Sequence, residues 1–306
     1  MADRADDACG VLVIDKPRGP TSHDVVSRLR RKLGTRRVGH AGTLDPMATG
    51  VLVVAAGEAT KLVPYLTASD KAYRAEVRFG VETDTLDAEG QETARAPVAF
   101  DRDALVAALD AERRREEQVP PVYSALQIGG RRAHDLARAG VDVELAPRRV
   151  SLRSAALCSF DGETADIELL VEKGYYVRAL ARDLARALGT VGHLVGLRRL
   201  RSGAFGLADA IALDASDAET RGALLSLPEA ARRTLPPVVL DADAATRARQ
   251  GKKLTADDLV GSPLGCAAAW FDDAGALVAV GQLDDDGVGR VLRGFTSSCP
   301  PCPSRA

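Results

Sequence analysis

The sequence predicts an α+β protein built on a mixed β-sheet, followed by a smaller β-rich module. Three observations predict it. Strand-like and helix-like runs mix along the chain without strict βαβα alternation. The pattern then breaks at Leu227 to Pro237, a stretch of boundary composition rich in Pro, Glu and Ala. Beyond it, short strand-like runs separated by turn residues continue for about 60 residues.

Gly10 to Lys16 is a short apolar run that ends in the punctuated loop Lys16-Pro17-Arg18-Gly19-Pro20. Thr21 or Ser22 can cap a following helix, in which Val25, Val26, Leu29 and Leu33 recur at helical spacing ahead of a closing Gly34. Its exposed face is Arg28, Arg31 and Lys32. Val51 to Ala56 reads as a buried strand, and Tyr73, Ala75, Val77 and Phe79 alternate with Arg74, Glu76 and Arg78 as a half-buried one. Helical periodicity returns at Asp101 to Arg114, Arg132 to Ala139 and Val177 to Leu188. Strands are expected at Val150 to Phe160 and Ala165 to Val171. Near the C-terminus, Ala267 to Phe271 and Ala276 to Leu283 flank the turn Asp272-Asp273-Ala274-Gly275, and Gly289 to Phe295 gives a third strand. The expected division is 1–235 for the main domain, 236–295 for the small module and 296–306 for a disordered tail.

With 306 residues, 46% hydrophobic and 27% charged, the chain has ordinary globular composition, which excludes disordered, collagen-like and disulfide-scaffold classes. Aromatics at 4% leave a core of Val, Leu and Ala. The apolar runs are too short to cross a bilayer, and no apolar segment follows a basic start as in a secretory signal, so the expected location is the cytoplasm. Cys9, Cys158, Cys266, Cys299 and Cys302 are odd in number and scattered, which fits reduced thiols. Cys299-Pro-Pro-Cys302 supplies only two of the four ligands of a structural zinc, and His23 and His193 lack ligand spacing to each other or to Asp45. No metal site is expected.

The net charge of −2 hides two one-sided stretches. Lys16 to His40 holds eight Lys and Arg against Asp24 alone, and Arg178 to Arg201 holds six Arg against Asp183. Solvated helix faces would explain such runs, but two patches of this density fit a phosphate backbone better, since arginine binds phosphate bidentately. Acidic residues gather instead at Glu82 to Glu92 and at Asp284 to Asp286.

The densest polar information lies in Arg37 to Gly50. Gly39, Gly42, Gly50 and Pro46 make it a loop, and Pro46 stiffens the chain after Asp45, holding a carboxylate near His40, Thr43 and Thr49. No Gly-Lys-Ser/Thr follows, so it is not a Walker loop. Taken alone, an Asp-Pro step more often marks a turn whose carboxylate bonds backbone N–H groups.

Gly39 to Gly50 resembles the Gly-His-x-Gly-Thr-Leu-Asp-Pro-x-Ala-Thr-Gly signature of the bacterial tRNA pseudouridine-55 synthase family. Other segments extend the likeness in order over about the first 200 residues. They are Lys16 to Ser22 (Lys-Pro-x-Gly-x-Thr-Ser), Lys71 to Tyr73 (Lys-x-Tyr), Thr83 to Asp87 (Thr-Asp-Thr-x-Asp), Gln118 to Ala125 (Gln-x-Pro-Pro-x-Tyr-Ser-Ala), Lys173 to Arg178 (Lys-Gly-Thr-Tyr-Ile-Arg) and Leu197 to Arg199 (Leu-Arg-Arg). Tyr175 replaces the usual Thr, and His134 stands where the family often has Tyr. Met47-Ala48 looks like the stand-alone enzymes, where guide-RNA-dependent relatives tend to have Lys and Val. The C-terminal module resembles, more weakly, a PUA-type RNA-binding domain.

The resemblance implies a pseudouridine-synthase catalytic domain with a PUA-like domain after it, acting on uridine 55 in the T-loop of tRNA. The reaction breaks the N1–C1′ bond, turns the uracil and rejoins it through C5, with nothing added or lost, so no cofactor is expected. Opening the glycosidic bond leaves C1′ electron-poor, which suits a carboxylate, and by resemblance that carboxylate is Asp45, with attack at C1′, attack at C6 and assistance through a glycal intermediate all open on the sequence. Arg178 is the implied guanidinium that keeps it ionised. Tyr73 is the implied ring on which a flipped uracil stacks, and Tyr176 lines the same pocket. His40 and Leu197 are implied neighbours of the flipped nucleotide, and Lys16, Arg31 and Arg199 are expected RNA contacts from the basic stretches. The expected partner is the tRNA T-stem-loop, met by a monomer without membrane, obligate protein partner or guide RNA. An RNA-binding or tRNA-folding protein without turnover is the alternative, and a metal-free hydrolase with an Asp nucleophile is a third reading that leaves the basic stretches unexplained.

Overall fold

The computed structural model describes residues 8–296 apart from 125, 129, 140 and 142. They form two compact units. The first holds the chain up to Asp45, Val51–Thr67 and everything from Gly203 onward; the second holds Pro46–Gly50 and Ala68–Ser202. The expected tail and the Cys299/Cys302 pair lie outside the described residues.

In the first unit, strand β1 (Gly10–Lys16) leads through the Pro-rich loop into helix α1 (Ser22–Leu33) and strand β2 (Val38–His40). Thr21 caps α1 by accepting the Asp24 N–H, and the Asp24 carboxylate takes the Thr21 N–H in return. The helix buries Val25, Val26, Leu29 and Leu33 and ends at Gly34 in the left-handed conformation, φ 70°. Strand β3 (Thr49–Ala56) lies beside β1 and pairs antiparallel with β2, so part of the segment expected to be loop is a hairpin arm. Ile14 of β1 pairs in parallel with Ile211.

The C-terminal residues form a five-stranded sheet in the order Pro237–Val239, Ala267–Phe271, Leu277–Leu283, Val288–Gly294, Leu254–Thr255. A small core surrounds its fully buried Trp270. The opposite side joins a larger core: Phe271, Leu277, Val280 and Phe295 pack in one cluster with Val11, Val13, Val51 and Val53. Apolar packing therefore runs across the 235/236 position. Helix Leu227–Thr234 occupies the stretch expected to be a break, because Pro228 sits in the first turn, where it has no hydrogen bond to lose. A second helix, Ala242–Arg249, lies within the β-rich module.

In the second unit, β4 (Lys71–Phe79) is followed by α2 (Arg102–Glu112), β5 (Leu152–Phe160), β6 (Thr164–Val171), α3 (Val177–Ala187) and β7 (Gly192–Ser202). The strands run antiparallel in the order β5-β6-β4-β7, and Thr49 and Gly50 pair in parallel with Arg198 and Arg199 of β7. The expected alternation in β4 holds: Tyr73, Ala75, Val77 and Phe79 are buried, whereas Arg74, Glu76 and Arg78 are not. Strand β7 was not expected, since two glycines, a histidine and three arginines hide its periodicity.

Among the described residues Cys158 and Cys266 are free thiols. Among the described residues no helix is long and apolar enough to cross a membrane. No group of three His, Cys, Asp or Glu side chains among them could hold a metal ion.

Candidate active site

In the first unit the loop carrying Asp45 is fixed from α1. Because Thr21 supplies the cap, the Ser22 hydroxyl is released for another partner, and it accepts the Leu44 N–H at 2.9 Å while donating to the Leu44 carbonyl at 3.1 Å. Both partners are buried, so the residue before Asp45 is held by its two backbone polar atoms. Asp45 itself is half-buried and precedes the rigid Pro46. His40, at the end of β2 opposite Val54, is half-buried too.

Lys16 differs from expectation. It has no exposed surface, and its ammonium donates to the carbonyls of Pro17 at 3.1 Å and Pro20 at 2.7 Å, closing the turn that feeds α1. It shapes the loop and offers nothing to a phosphate. Arg18, Arg28, Arg31 and Arg36 are exposed and keep the character expected of a phosphate-facing surface.

In the second unit three motif segments converge on Arg178. This residue lies in the first turn of α3, where a helix dipole disfavours a cation, and it is only 7% exposed. Its guanidinium is satisfied by the carbonyls of Thr85 at 2.9 Å and Tyr123 at 3.0 Å and by the Asp87 carboxylate at 3.6 Å. The Thr83–Asp87 turn presents these acceptors because Thr83 and Thr85 hydroxyls bond the Asp87 carbonyl and carboxylate at 2.7 and 2.6 Å. Leu86 there has a φ of 61°, a strained conformation for a branched side chain. Gln118, buried in the Gln-x-Pro-Pro segment, accepts the Tyr176 N–H at 3.0 Å and so supports the start of α3.

Tyr73 of β4 faces Arg199 of β7 across the ladder, and an Arg199 Nη donates to the Tyr73 hydroxyl at 3.5 Å. Arg199 is wholly buried, which corrects its assignment as an RNA backbone contact. Arg182, also counted in that basic stretch, is buried and bonded to Val119 and Asp183. Charge density along the sequence was misleading here, because three of the arginines serve the interior. Leu197 lies half-buried on β7 opposite Ala75. The Tyr175 hydroxyl is pushed up by burial and by the nearby Glu112 and Asp183 carboxylates. The His134 side chain lies outside the described residues.

Sequence reasoning missed two supports. Ser22 stands out in the sequence as a possible cap and as the end of the Lys16 to Ser22 motif, but its hold on Leu44 does not. Gly50 has a φ of 98°, and a Cβ there would meet the Arg199 carbonyl oxygen at 2.2 Å, so only glycine lets β7 approach.

Residues 30–177 match the TruB family pseudouridylate synthase N-terminal domain, and residues 178–245 match the tRNA pseudouridylate synthase B C-terminal domain. The chain is 48% identical over 289 residues to a tRNA pseudouridine synthase B of Nocardia farcinica, covering 93% of this chain and 92% of that one. It is 45% identical over 282 residues to the protein of the same name from Aromatoleum aromaticum, covering 91% and 90%. Among solved structures, a chain of a Cbf5-Nop10-Gar1 complex superposes with a TM-score of 0.73 at 25% identity, covering 94% of this chain and 84% of that one. With family domains matched over most of its length and relatives of such identity, this chain belongs to the TruB family of pseudouridylate synthases.

Proposed function

We propose that this chain isomerises uridine to pseudouridine at position 55 in the T-loop of tRNA, flipping the base out and using Asp45 as the nucleophile. Family membership makes the chain a pseudouridine-forming isomerase, and its relatives named tRNA pseudouridine synthase B support tRNA as the substrate. The observation that carries Asp45 is the grip of Ser22 on Leu44, which immobilises the backbone next to that carboxylate.

In this reading Asp45 meets the electron-poor C1′, Arg178 belongs to the catalytic set, and the uracil stacks on Tyr73 with Tyr176 beside it. His40 and Leu197 border the flipped nucleotide, while Arg31 and its exposed neighbours on α1 meet phosphate. The C-terminal module grips tRNA away from the reacting base. The protein works in the cytoplasm as a monomer, without cofactor, guide RNA or obligate protein partner.

The test is an unmodified tRNA transcript incubated with purified protein, with pseudouridine mapped by a reagent that blocks reverse transcription. Modification at position 55, abolished by Asp45→Asn with tRNA affinity kept within a few-fold, is the expected result. Substantial turnover by the variant would remove Asp45 from its role.

A further inference from the structure

The Lys-x-Tyr segment places an ammonium where a sheet interior would normally carry an apolar side chain. Lys71 opens β4 two residues before Tyr73, so the two share one face of the strand. Across the ladder, Lys71 is opposite Ser202 and Tyr73 is opposite Arg199. Residues directly opposite in an antiparallel pair point the same way. Four polar side chains therefore gather on one buried face, with exposures of 8% for Lys71, 7% for Tyr73, 2% for Ser202 and none for Arg199. The Ser202 hydroxyl is buried without a hydrogen-bond partner, which is unusual enough to require a reason. The Lys71 ammonium donates to the Ser69 carbonyl at 2.7 Å.

We propose that Lys71 and Ser202, with Arg199, form an anion-stabilising edge for the uracil ring while it is detached from the ribose. The inference rests on the proposed stacking of the flipped uracil on Tyr73. When the N1–C1′ bond opens, its electron pair departs with the ring and the negative charge spreads over N1 and the two carbonyl oxygens. C1′ is left to the Asp45 carboxylate. The ring loses that charge when C5 forms the new bond to C1′ and the Asp45 carboxylate leaves C1′ with its electron pair; a proton then leaves C5 and one is taken up at N1. Between these events an anion must be held away from water. Buried donors fixed in advance stabilise such charge far more than water-exposed ones do. A lysine ammonium, an arginine and an orphan hydroxyl on one face supply them.

The environment of Lys71 also makes this edge sensitive to pH. Burial and the Arg199 guanidinium lower the ammonium to about 8, Lys173 acts in the same direction, and Asp70 opposes them. The edge is cationic at neutral pH and loses one charge as pH rises through about 8.

The experiment compares the full-length protein with Lys71→Met, Lys71→Arg and Ser202→Ala in single-turnover reactions on tRNA containing uridine or 5-fluorouridine at the target position. Fluorine withdraws electrons and makes the ring a better leaving group, so it needs less help from the protein. Lys71→Met should slow glycosidic cleavage of uridine by about 10²- to 10³-fold, with tRNA affinity retained and a defect at least tenfold smaller on the fluorinated substrate. Ser202→Ala should lose about tenfold. Lys71→Arg should retain more of the neutral-pH rate than Lys71→Met and move the alkaline fall upward. An equal defect of Lys71→Met on both substrates, or an alkaline limb identical in Lys71→Arg and wild type, overturns the proposal. If Lys71→Met does not fold, Ser202→Ala and the pH profile of Lys71→Arg decide the matter. Failure of the wild type to form pseudouridine at all would instead overturn the functional reading itself.

Discussion

Ser22 binds both backbone polar atoms of Leu44, its hydroxyl lying 2.9 Å from the nitrogen and 3.1 Å from the carbonyl oxygen. A helix start thereby fixes a loop 22 residues away, and the residue it fixes adjoins Asp45. Ser22→Ala leaves a buried N–H and a buried carbonyl unsatisfied, at about 1–3 kcal/mol each. We expect kcat to fall by about 10²-fold through misplacement of the carboxylate, with tRNA affinity unchanged. Single-turnover rates beside a binding isotherm check this, and a variant with normal kcat would show that the grip does not serve the chemistry.

Gly50→Ala is expected to be among the most damaging small substitutions. The added methyl meets the Arg199 carbonyl oxygen at 2.2 Å and its nitrogen at 2.8 Å, and the φ of 98° is unfavourable to any side chain. Overpacking alone costs about 1–3 kcal/mol. A lowered urea midpoint together with lost turnover is the expected outcome; wild-type stability would mean that β7 can retreat.

Salt dependence should follow exposure and not arginine count. Arg31 is exposed on α1, whereas Arg199 is buried. Replacing Arg31 by Gln should flatten the salt dependence of tRNA binding by about 0.7–0.9 in log–log slope if it neutralises one phosphate. Arg199→Gln should leave that slope unchanged while impairing turnover through Tyr73. Affinity titrations from low to moderate salt distinguish the two.

The contrast between those arginines shows where the sequence was legible. Elements with clean periodicity were read correctly: β1 and α1 from their apolar spacing, α1 with its Thr21 and Gly34 ends, and β4 from strict alternation. Strand β7 escaped because its buried positions include Arg199 and Ser202, which pattern analysis counts as exposed. Lys16 was misread for the same reason. Burial of a charge depends on partners such as the Pro17 and Pro20 carbonyls or the Tyr73 hydroxyl, and these are set by folding, not by composition. The motif residues stood out, but their supports did not: three segments distant in sequence meet at Arg178.

Cutting the chain before Pro236 should destabilise more than it would at an independent module. The larger core would lose Phe271, Leu277, Val280 and Phe295, leaving Val11, Val13, Val51 and Val53 partly uncovered. Loss of a buried aromatic or leucine contact typically costs about 2–5 kcal/mol. We expect a markedly lower melting temperature and loss of turnover on an isolated stem-loop as well as on whole tRNA. A truncated protein that melts like the full chain and still modifies the stem-loop would establish 236–295 as a separable domain.

Lys71 should leave a signature in stability as well as in rate. Its ammonium is lowered from 10.5 to about 8 in the folded protein, mainly by burial. Between those values the unfolded chain binds more proton than the folded one, so stability contributed at this position rises with pH through that window and is lost as pH falls through about 8. Urea unfolding at a series of pH values should show this rise in the wild type and not in Lys71→Met. Parallel curves would place the titration elsewhere.

The division of the chain between its two units also dictates an order of assembly during synthesis. Nearly all of the second unit lies in the continuous stretch Ala68–Ser202, so it can fold once that stretch has left the ribosome. The first unit needs β1 and β3 together with the chain beyond Gly203, so its opening strands must wait through most of translation for partners such as Leu225 and Phe271. During that interval Val11, Val13, Val51 and Val53 are an unpaid debt of exposed apolar surface, and nascent chains stalled near Ser202 are the form in which this protein is most prone to chaperone capture and aggregation.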